Sequence, residues 1–238
     1  MLVIIPARAG SKGVFKKNIK ELNGKPLIQY TIDAARKVFK DSDIVVSTDS
    51  PEIKKIASKK LPVDSIVIRP SALATDTTSM NDVLLNVIET MEKRGKIFKT
   101  VILLQPTSPF RKPIHIKEAL KLYNSEFEML VSVKETKANP YYTLQEENSD
   151  GYLERSKDGN FIRRQDCPKV WELNGAIYII NVDALKAKPI YEFKKVKKYV
   201  MDEISSIDID SSFDWSLAET IIEKSHLLNL KNQLAEIN

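Results

Sequence analysis

One cysteine and two histidines are all that 238 residues contain of the commonest soft metal ligands. Cys167 alone cannot close an intramolecular disulfide, and no Cys/His spacing suits zinc. With only His115 and His226 available, a histidine-built metal or catalytic centre is not expected. Long apolar runs are missing as well. The opening stretch Leu2–Ile5 is too short for a signal peptide and no run reaches membrane-spanning length, so a cytoplasmic address is expected. Phosphate-loop glycine patterns are absent from the one loop that invites them. Residues 6–13 read PARAGSKG, which is neither G-x-x-x-x-G-K-[ST] nor G-x-G-x-x-G.

Charge is present but unevenly spread. Arg8, Lys12, Lys16, Lys17, Lys20 and Lys25 stand against Glu21 alone, so the net +5 of the whole chain is reached within its first 25 residues. The pI near 9.0 raises the question of nucleic acid. Against it, the lysine pairs 54–55, 59–60, 194–195 and 197–198 are scattered among acids, whereas a nucleic-acid face clusters its cations. They read as coats on helices and on a surface turn. The opening loop instead follows a short apolar run cut by Pro6, an arrangement that delivers cations and small residues to a polyanion such as a nucleotide triphosphate. Composition leaves two readings of this loop open, a phosphate wrap built on backbone N–H groups and a solvated basic turn.

Hydrophobic content of 42% with 29% charged residues describes an ordinary globular chain, and its length suits one α/β domain over 1–238. Leu2–Ile5, Ile44–Ser47, Ser65–Ile68, Val101–Leu104 and Leu130–Val133 are apolar throughout, as parallel strands covered on both faces are. Helices are predicted between them. Pro26, Pro51 and Pro113 each open one, and Ser79-x-x-Asp82 caps another over Val83, Leu84, Val87, Ile88 and Met91. This β-α order predicts a mostly parallel wound sheet with ligands beyond the carboxyl ends of its strands. The Pro6–Asn18 and Gln105–Arg111 loops fall on that rim. From about 139 to 170 turn signals break the rhythm, predicting a small antiparallel arm. Asn174-Gly175 reads as a turn entering a strand, and a helix is predicted from about Phe213 to Leu234.

Ile207-Asp-Ile-Asp210 is the second feature that could carry chemistry. On a strand, Asp208 and Asp210 would share one face, where two carboxylates repel unless a cation or a proton intervenes. Mg²⁺ held by one or two carboxylates and substrate phosphate oxygens is one such arrangement, and a solvated strand end is the other. Gln105 at a strand tip suits a ligand contact or a hydrogen bond to a neighbouring loop, and Arg69, in an equivalent position after Ile68, suits a phosphate or base contact or a pair with a surface acid. Arg163, Arg164 and Gln165 either meet an anionic substrate or cap the arm's own backbone.

Together these pieces resemble the CMP-N-acylneuraminate (CMP-sialic acid) synthetases, or acylneuraminate cytidylyltransferases. The resemblance rests on IIPARAGSKGVFKKNIKELNGKPLI, VVSTD at 45–49, RPSALATD at 69–76, LLQPTSPFR at 103–111, NGAIYII at 174–180 and the aspartates at 208 and 210. It implies a Rossmann-like nucleotidyltransferase fold, and a homodimer whose arm reaches over the partner's site. It also implies Mg²⁺-dependent transfer of CMP from CTP to the anomeric hydroxyl of a nine-carbon 2-keto sugar acid. By position, Arg8, Ser11, Lys17 and Asn18 match the nucleotide-binding signature, with Arg8 and Lys17 on the triphosphate, while Arg69 and Ser79 match its cytidine end. Gln105 matches the sugar-contacting glutamine, an arm arginine (Arg163 or Arg164) would help hold the acceptor, and Asp208 with Asp210 match the metal pair.

Glu172-Leu173 stands where members specific for N-acetylneuraminate often place a basic residue. Tyr141-Tyr142 follows Pro140 where they often carry a lysine. Both departures fall on the acceptor side. Legionaminic, pseudaminic and 3-deoxy-octulosonic acids are the alternative acceptors. A nucleotide-binding protein without turnover is the alternative of another class.

Overall fold

The computed structural model describes the backbone of residues 1–235 and the side chains of residues 1–225. Its core is a seven-stranded sheet. In chain order the strands are β1 (Leu2–Pro6), β4 (Ile44–Thr48), β5 (Ile66–Ile68), β6 (Thr100–Leu103), β7 (Met129–Glu135), β10 (Trp171–Asn181) and β11 (Val196–Val200), in the spatial order β11-β7-β10-β6-β1-β4-β5. Two two-residue strands, β2 (Glu21–Leu22) and β3 (Lys25–Pro26), form a hairpin after the opening loop. Asn23 and Gly24 take the positive φ that such an Asn-Gly turn requires.

The mostly parallel sheet matches the sequence expectation. β1, β4, β5 and β6 pair in parallel and β11 pairs in parallel with β7, while β10 runs antiparallel to both β6 and β7. β1, β4 and β6 are buried along their whole length because helices cover both faces. Alternation along β1 divides the core. Val3 and Ile5 pack with α1 (Leu27–Arg36), α2 (Pro51–Ala57) and α4 (Pro113–Leu122); Leu2 and Ile4 pack with α3 (Met80–Lys93) and α5 (Val182–Ala187). The chain therefore makes three layers, with the sheet in the middle. Ser79 caps α3 as expected, its Oγ accepting from the Asp82 N–H at 3.1 Å.

Three details differ from the sequence reading. Asn174-Gly175 is not a turn before a strand but a register shift inside β10, between Leu173 and Tyr178, with Gly175 at φ +71°. The extra residues of such a bulge bend the strand and re-aim side chains. Residues 207–210 form no strand and join no ladder. Lys197 and Lys198 lie on neither a helix nor a turn but on β11, the edge strand, where lysine discourages further pairing.

The interval 139–170 holds the expected hairpin, β8 (Gln145–Glu147) against β9 (Leu153–Arg155). Its exposed Tyr152 and Leu153 pack on no core. The C-terminal helix α6 (Ser212–Ala235) starts with Trp215 and Ala218 buried. These two join Val14, Leu22, Leu27 and Ile209 in a small third core.

Candidate active site

The parallel run β1-β4-β5 grows to one side of β1 and β6 lies on the other, so the strand order reverses between β1 and β6. Crevices beyond the carboxyl ends of strands at such a reversal bind ligands in wound α/β sheets. A cleft of about 190 Å³ opens there. Arg8, Ser11, Lys17 and Asn18 line it from the loop after β1, Arg69 from the end of β5, and Gln105 with Thr107 from the loop after β6.

Local chemistry shapes the opening loop. Asn18 is buried and donates from Nδ2 to the Arg8 carbonyl at 3.0 Å, closing the loop on itself. At its other end the Ala9 N–H donates to Asp49 Oδ1 at 2.8 Å. Arg8 reaches Asp76 at 2.6 Å and Lys12 reaches the same carboxylate at 3.1 Å. Asp76 is held below its ordinary range, by Lys12 first and then Arg8. Arg69 is buried and donates to the Ser47 carbonyl and hydroxyl at 3.0 and 3.3 Å; burial lowers its pKa, with Asp49 opposing.

The acidic segment meets this loop directly. Lys17 Nζ donates to the Ile209 carbonyl and to Asp210 Oδ1, the latter at 3.0 Å. A Cβ on Gly13 would stand 1.8 Å from the Asp210 carbonyl oxygen, so only glycine lets the two backbones touch. The Ile209 N–H donates to the Thr107 carbonyl at 2.9 Å, tying the acidic segment to the β6 loop as well. Asp210 thus meets the cleft-lining Lys17, and Asp208 approaches the cleft-lining Gln105 at Gly175, although neither aspartate lines the cleft itself.

Asp208 Oδ1 is buried with no hydrogen-bond partner among the described residues. Burial pushes the Asp208 carboxyl above its ordinary range. Thr107 and Lys17 oppose the rise, while Asp210 and Asp214 add to it. A buried, unsatisfied carboxylate oxygen next to a second carboxylate is an electrostatic cost that a cation would relieve. The pair therefore fits a hard divalent ion such as Mg²⁺. Among the described residues no group of three or more His, Cys, Asp or Glu could hold a metal, so such an ion would need further oxygens from its substrate.

Other expected site residues fall elsewhere. Ser79 is exposed and its Oγ also donates to Asp82 Oδ2 at 2.7 Å, so it works as a helix cap beside Met80, which does line the cleft. Arg163 pairs with Asp166 at 2.8 Å, and Arg164 lines a separate groove with Glu135 and Cys167 at the base of the arm.

Sequence reasoning also missed residues. Asn174 is buried, accepts from Ser132 Oγ at 2.6 Å and donates to Ser206 Oγ at 2.9 Å, which fixes the β10 bulge to the turn leading into Asp208. Gly175 sits between two site side chains; a Cβ there would be 2.8 Å from Gln105 Oε1 and 2.9 Å from Asp208 Oδ2. An Asn-Gly pair inside an apolar strand pattern was the available signal. Arg111 is fully buried beneath the same residues.

Comparison with known proteins shows the family. A family model described as cytidylyltransferase matches residues 2–235. The chain belongs to the cytidylyltransferase family. It is accordingly a nucleotidyltransferase enzyme. It is 36% identical over 231 residues to post-translational flagellin modification protein B of Campylobacter coli, covering 95% of this chain and 97% of that one. It is 35% identical to the CMP-N,N'-diacetyllegionaminic acid synthase of Legionella pneumophila, covering 94% and 96%. To the N-acylneuraminate cytidylyltransferase of Escherichia coli O18:K1:H7 it is 34% identical, covering 95% of this chain and 53% of that protein. Among solved structures, a CMP:2-keto-3-deoxy-manno-octonic acid synthetase complexed with CTP shares the fold at a TM-score of 0.68, with 18% identity over 94% of this cytidylyltransferase and 98% of the other chain. Among the described residues no helix is long and apolar enough to cross a membrane.

Proposed function

We propose that this cytidylyltransferase transfers CMP from CTP to the anomeric hydroxyl of an N-acylneuraminate-type nine-carbon 2-keto sugar acid, releasing pyrophosphate. The observation that carries the reading is the meeting of Lys17 with Asp210, where the basic loop and the acidic segment share one cleft edge. Cations in the loop suit a triphosphate, and the carboxylates beside them suit the divalent ion that accompanies it.

In this reading Arg8 and Lys17 stabilise charge that grows on the α-phosphate and on departing pyrophosphate. Ser11 and Asn18 shape the loop around the phosphates. Arg69 lies toward the cytidine end, and Ser79 caps the helix that brings Met80 to the same cleft. Gln105 orients the acceptor hydroxyl for in-line attack, with Arg163 or Arg164 of a dimer partner's arm holding the acid. Asp208 and Asp210 would hold Mg²⁺, which when bound supplies Lewis-acid polarisation of a phosphoryl oxygen. The chain works as a homodimer in the cytoplasm.

A second acceptor has support of its own. Relatives that match along nearly their whole length include CMP-N,N'-diacetyllegionaminic acid synthases, and the acceptor-side Glu172 pairs with Lys134 at 3.2 Å instead of offering a cation. Pyrophosphate release with CTP and Mg²⁺ over a panel of N-acetylneuraminic, legionaminic, pseudaminic and 3-deoxy-octulosonic acids decides the acceptor. Asp210→Asn should lower turnover by orders of magnitude while CTP still binds. Near-normal turnover in that variant would remove Asp210 from the metal site, and silence across the whole panel would overturn the function.

A further inference from the structure

A guanidinium that makes no salt bridge among the described residues is an unusual thing to bury, and the Asp208 carboxylate acts on this one only from beyond ion-pair distance. Arg111 is 3% exposed and spends its donors on neutral acceptors in three different elements. Nη1 donates to the Gln105 carbonyl at 3.1 Å and to the Ala176 carbonyl at 2.7 Å, and Nη2 donates to Thr31 Oγ1 at 2.6 Å. Thr31, itself buried on α1, donates onward to the Gln105 carbonyl at 3.3 Å. Arg111 Nε has no hydrogen-bond partner among the described residues.

The two carbonyls belong to Gln105 and to the neighbour of Gly175, where the Gln105 and Asp208 side chains converge. Among the described residues Arg111 makes no hydrogen bond to the opening loop. Lysine could supply the charge at this position but not the planar fork that reaches three acceptors at once.

We propose that Arg111 is a positioning residue for the acceptor half of the cleft, its buried fork fixing the Gln105 loop against the β10 bulge so that Gln105 and Asp208 hold their spacing. The proposal rests on the functional reading above. It assigns Arg111 to the acceptor and metal side and not to the nucleotide side.

Two variants test it, because truncating a buried arginine also threatens the fold itself. Arg111→Lys keeps the charge and loses the fork; Thr31→Val keeps the shape and removes one acceptor. In both, the dissociation constant for CTP without acceptor should stay within about twofold of the parent, while kcat/KM for the acceptor acid falls by roughly tenfold or more, the scale on which small misplacements of reacting groups act. Hydrogen exchange should quicken at residues 105–108 and 174–177 and stay unchanged at 7–18. Parallel loss of CTP affinity and acceptor turnover would overturn the assignment, as would a lowered Tm with unchanged acceptor kinetics. If the parent turned over no acid, the functional reading would fall, and the exchange pattern would still decide Arg111: a uniform or absent change rejects it.

Discussion

Gly175→Ala separates two effects that usually arrive together. Gly175 has φ +71°, a region where a non-glycine residue costs about 1–2 kcal/mol. For a chain of this size that loss lowers Tm by roughly 2–8 °C. The added methyl also meets Gln105 Oε1 at 2.8 Å and Asp208 Oδ2 at 2.9 Å, closer than ordinary van der Waals contact, so both side chains must move. A displacement of about 1 Å in a reacting constellation can cost about a hundredfold in rate. Gly24 supplies the control, because it shares φ +71° and a Cβ there meets nothing within 4 Å. Melting curves and pyrophosphate release on both variants should give similar losses of stability, a fall in turnover of roughly two orders of magnitude for Gly175→Ala, and parental turnover for Gly24→Ala. If the two variants turned over alike, Gly175 would not be the spacer between Gln105 and Asp208, and the bulge would be a structural feature only.

Two further outcomes follow from the electrostatics of the cleft. The folded state binds the Asp208 proton more tightly than the unfolded chain does, because burial raises its pKa, so ionisation costs stability as pH rises from the unfolded value through the folded one. Asp208→Asn should therefore raise Tm at neutral pH in metal-free buffer, with the gain vanishing below about pH 4, while turnover is lost; a lower Tm at neutral pH would contradict the unrelieved carboxylate. Asp76→Asn removes the carboxylate that Arg8 and Lys12 share, so KM for CTP should fall at low salt with kcat retained. A raised KM would instead make Asp76 a residue that orders the loop for its nucleotide.

The sheet was legible where burial is two-sided. β1, β4, β5, β6 and β7 read as apolar runs because helices cover both faces, and the proline and serine starts of α1 to α4 were visible as local chemistry. β11 was not legible, since Val-Lys-Lys-Tyr-Val buries only Tyr199 and looks like a surface turn. Half of β10 was hidden for a related reason: exposed Glu172 and Leu173 and the Asn-Gly pair interrupt the pattern where the strand bends. Arg8, Lys17, Gln105 and the aspartates could be picked out individually by residue type and place. Arg111 could not, because its role depends on Thr31, 80 residues away, and on Ala176, 65 residues away.

What brings the basic loop and the acidic segment together is not the charge they carry. The Lys17–Asp210 pair leaves the Asp210 side chain 75% exposed, and an ion pair open to water contributes only about 0–1 kcal/mol. Between the charged residues lie Val14 in the loop and Ile209 between the aspartates, both buried in the third core with Leu22, Leu27, Trp215 and Ala218. Burying side chains of that size contributes about 1.5–3 kcal/mol each, so apolar packing fixes the approach and the ion pair is a minor term. The division matters for function. Because packing holds the two walls, breaking the Lys17–Asp210 pair would not loosen the fold around them.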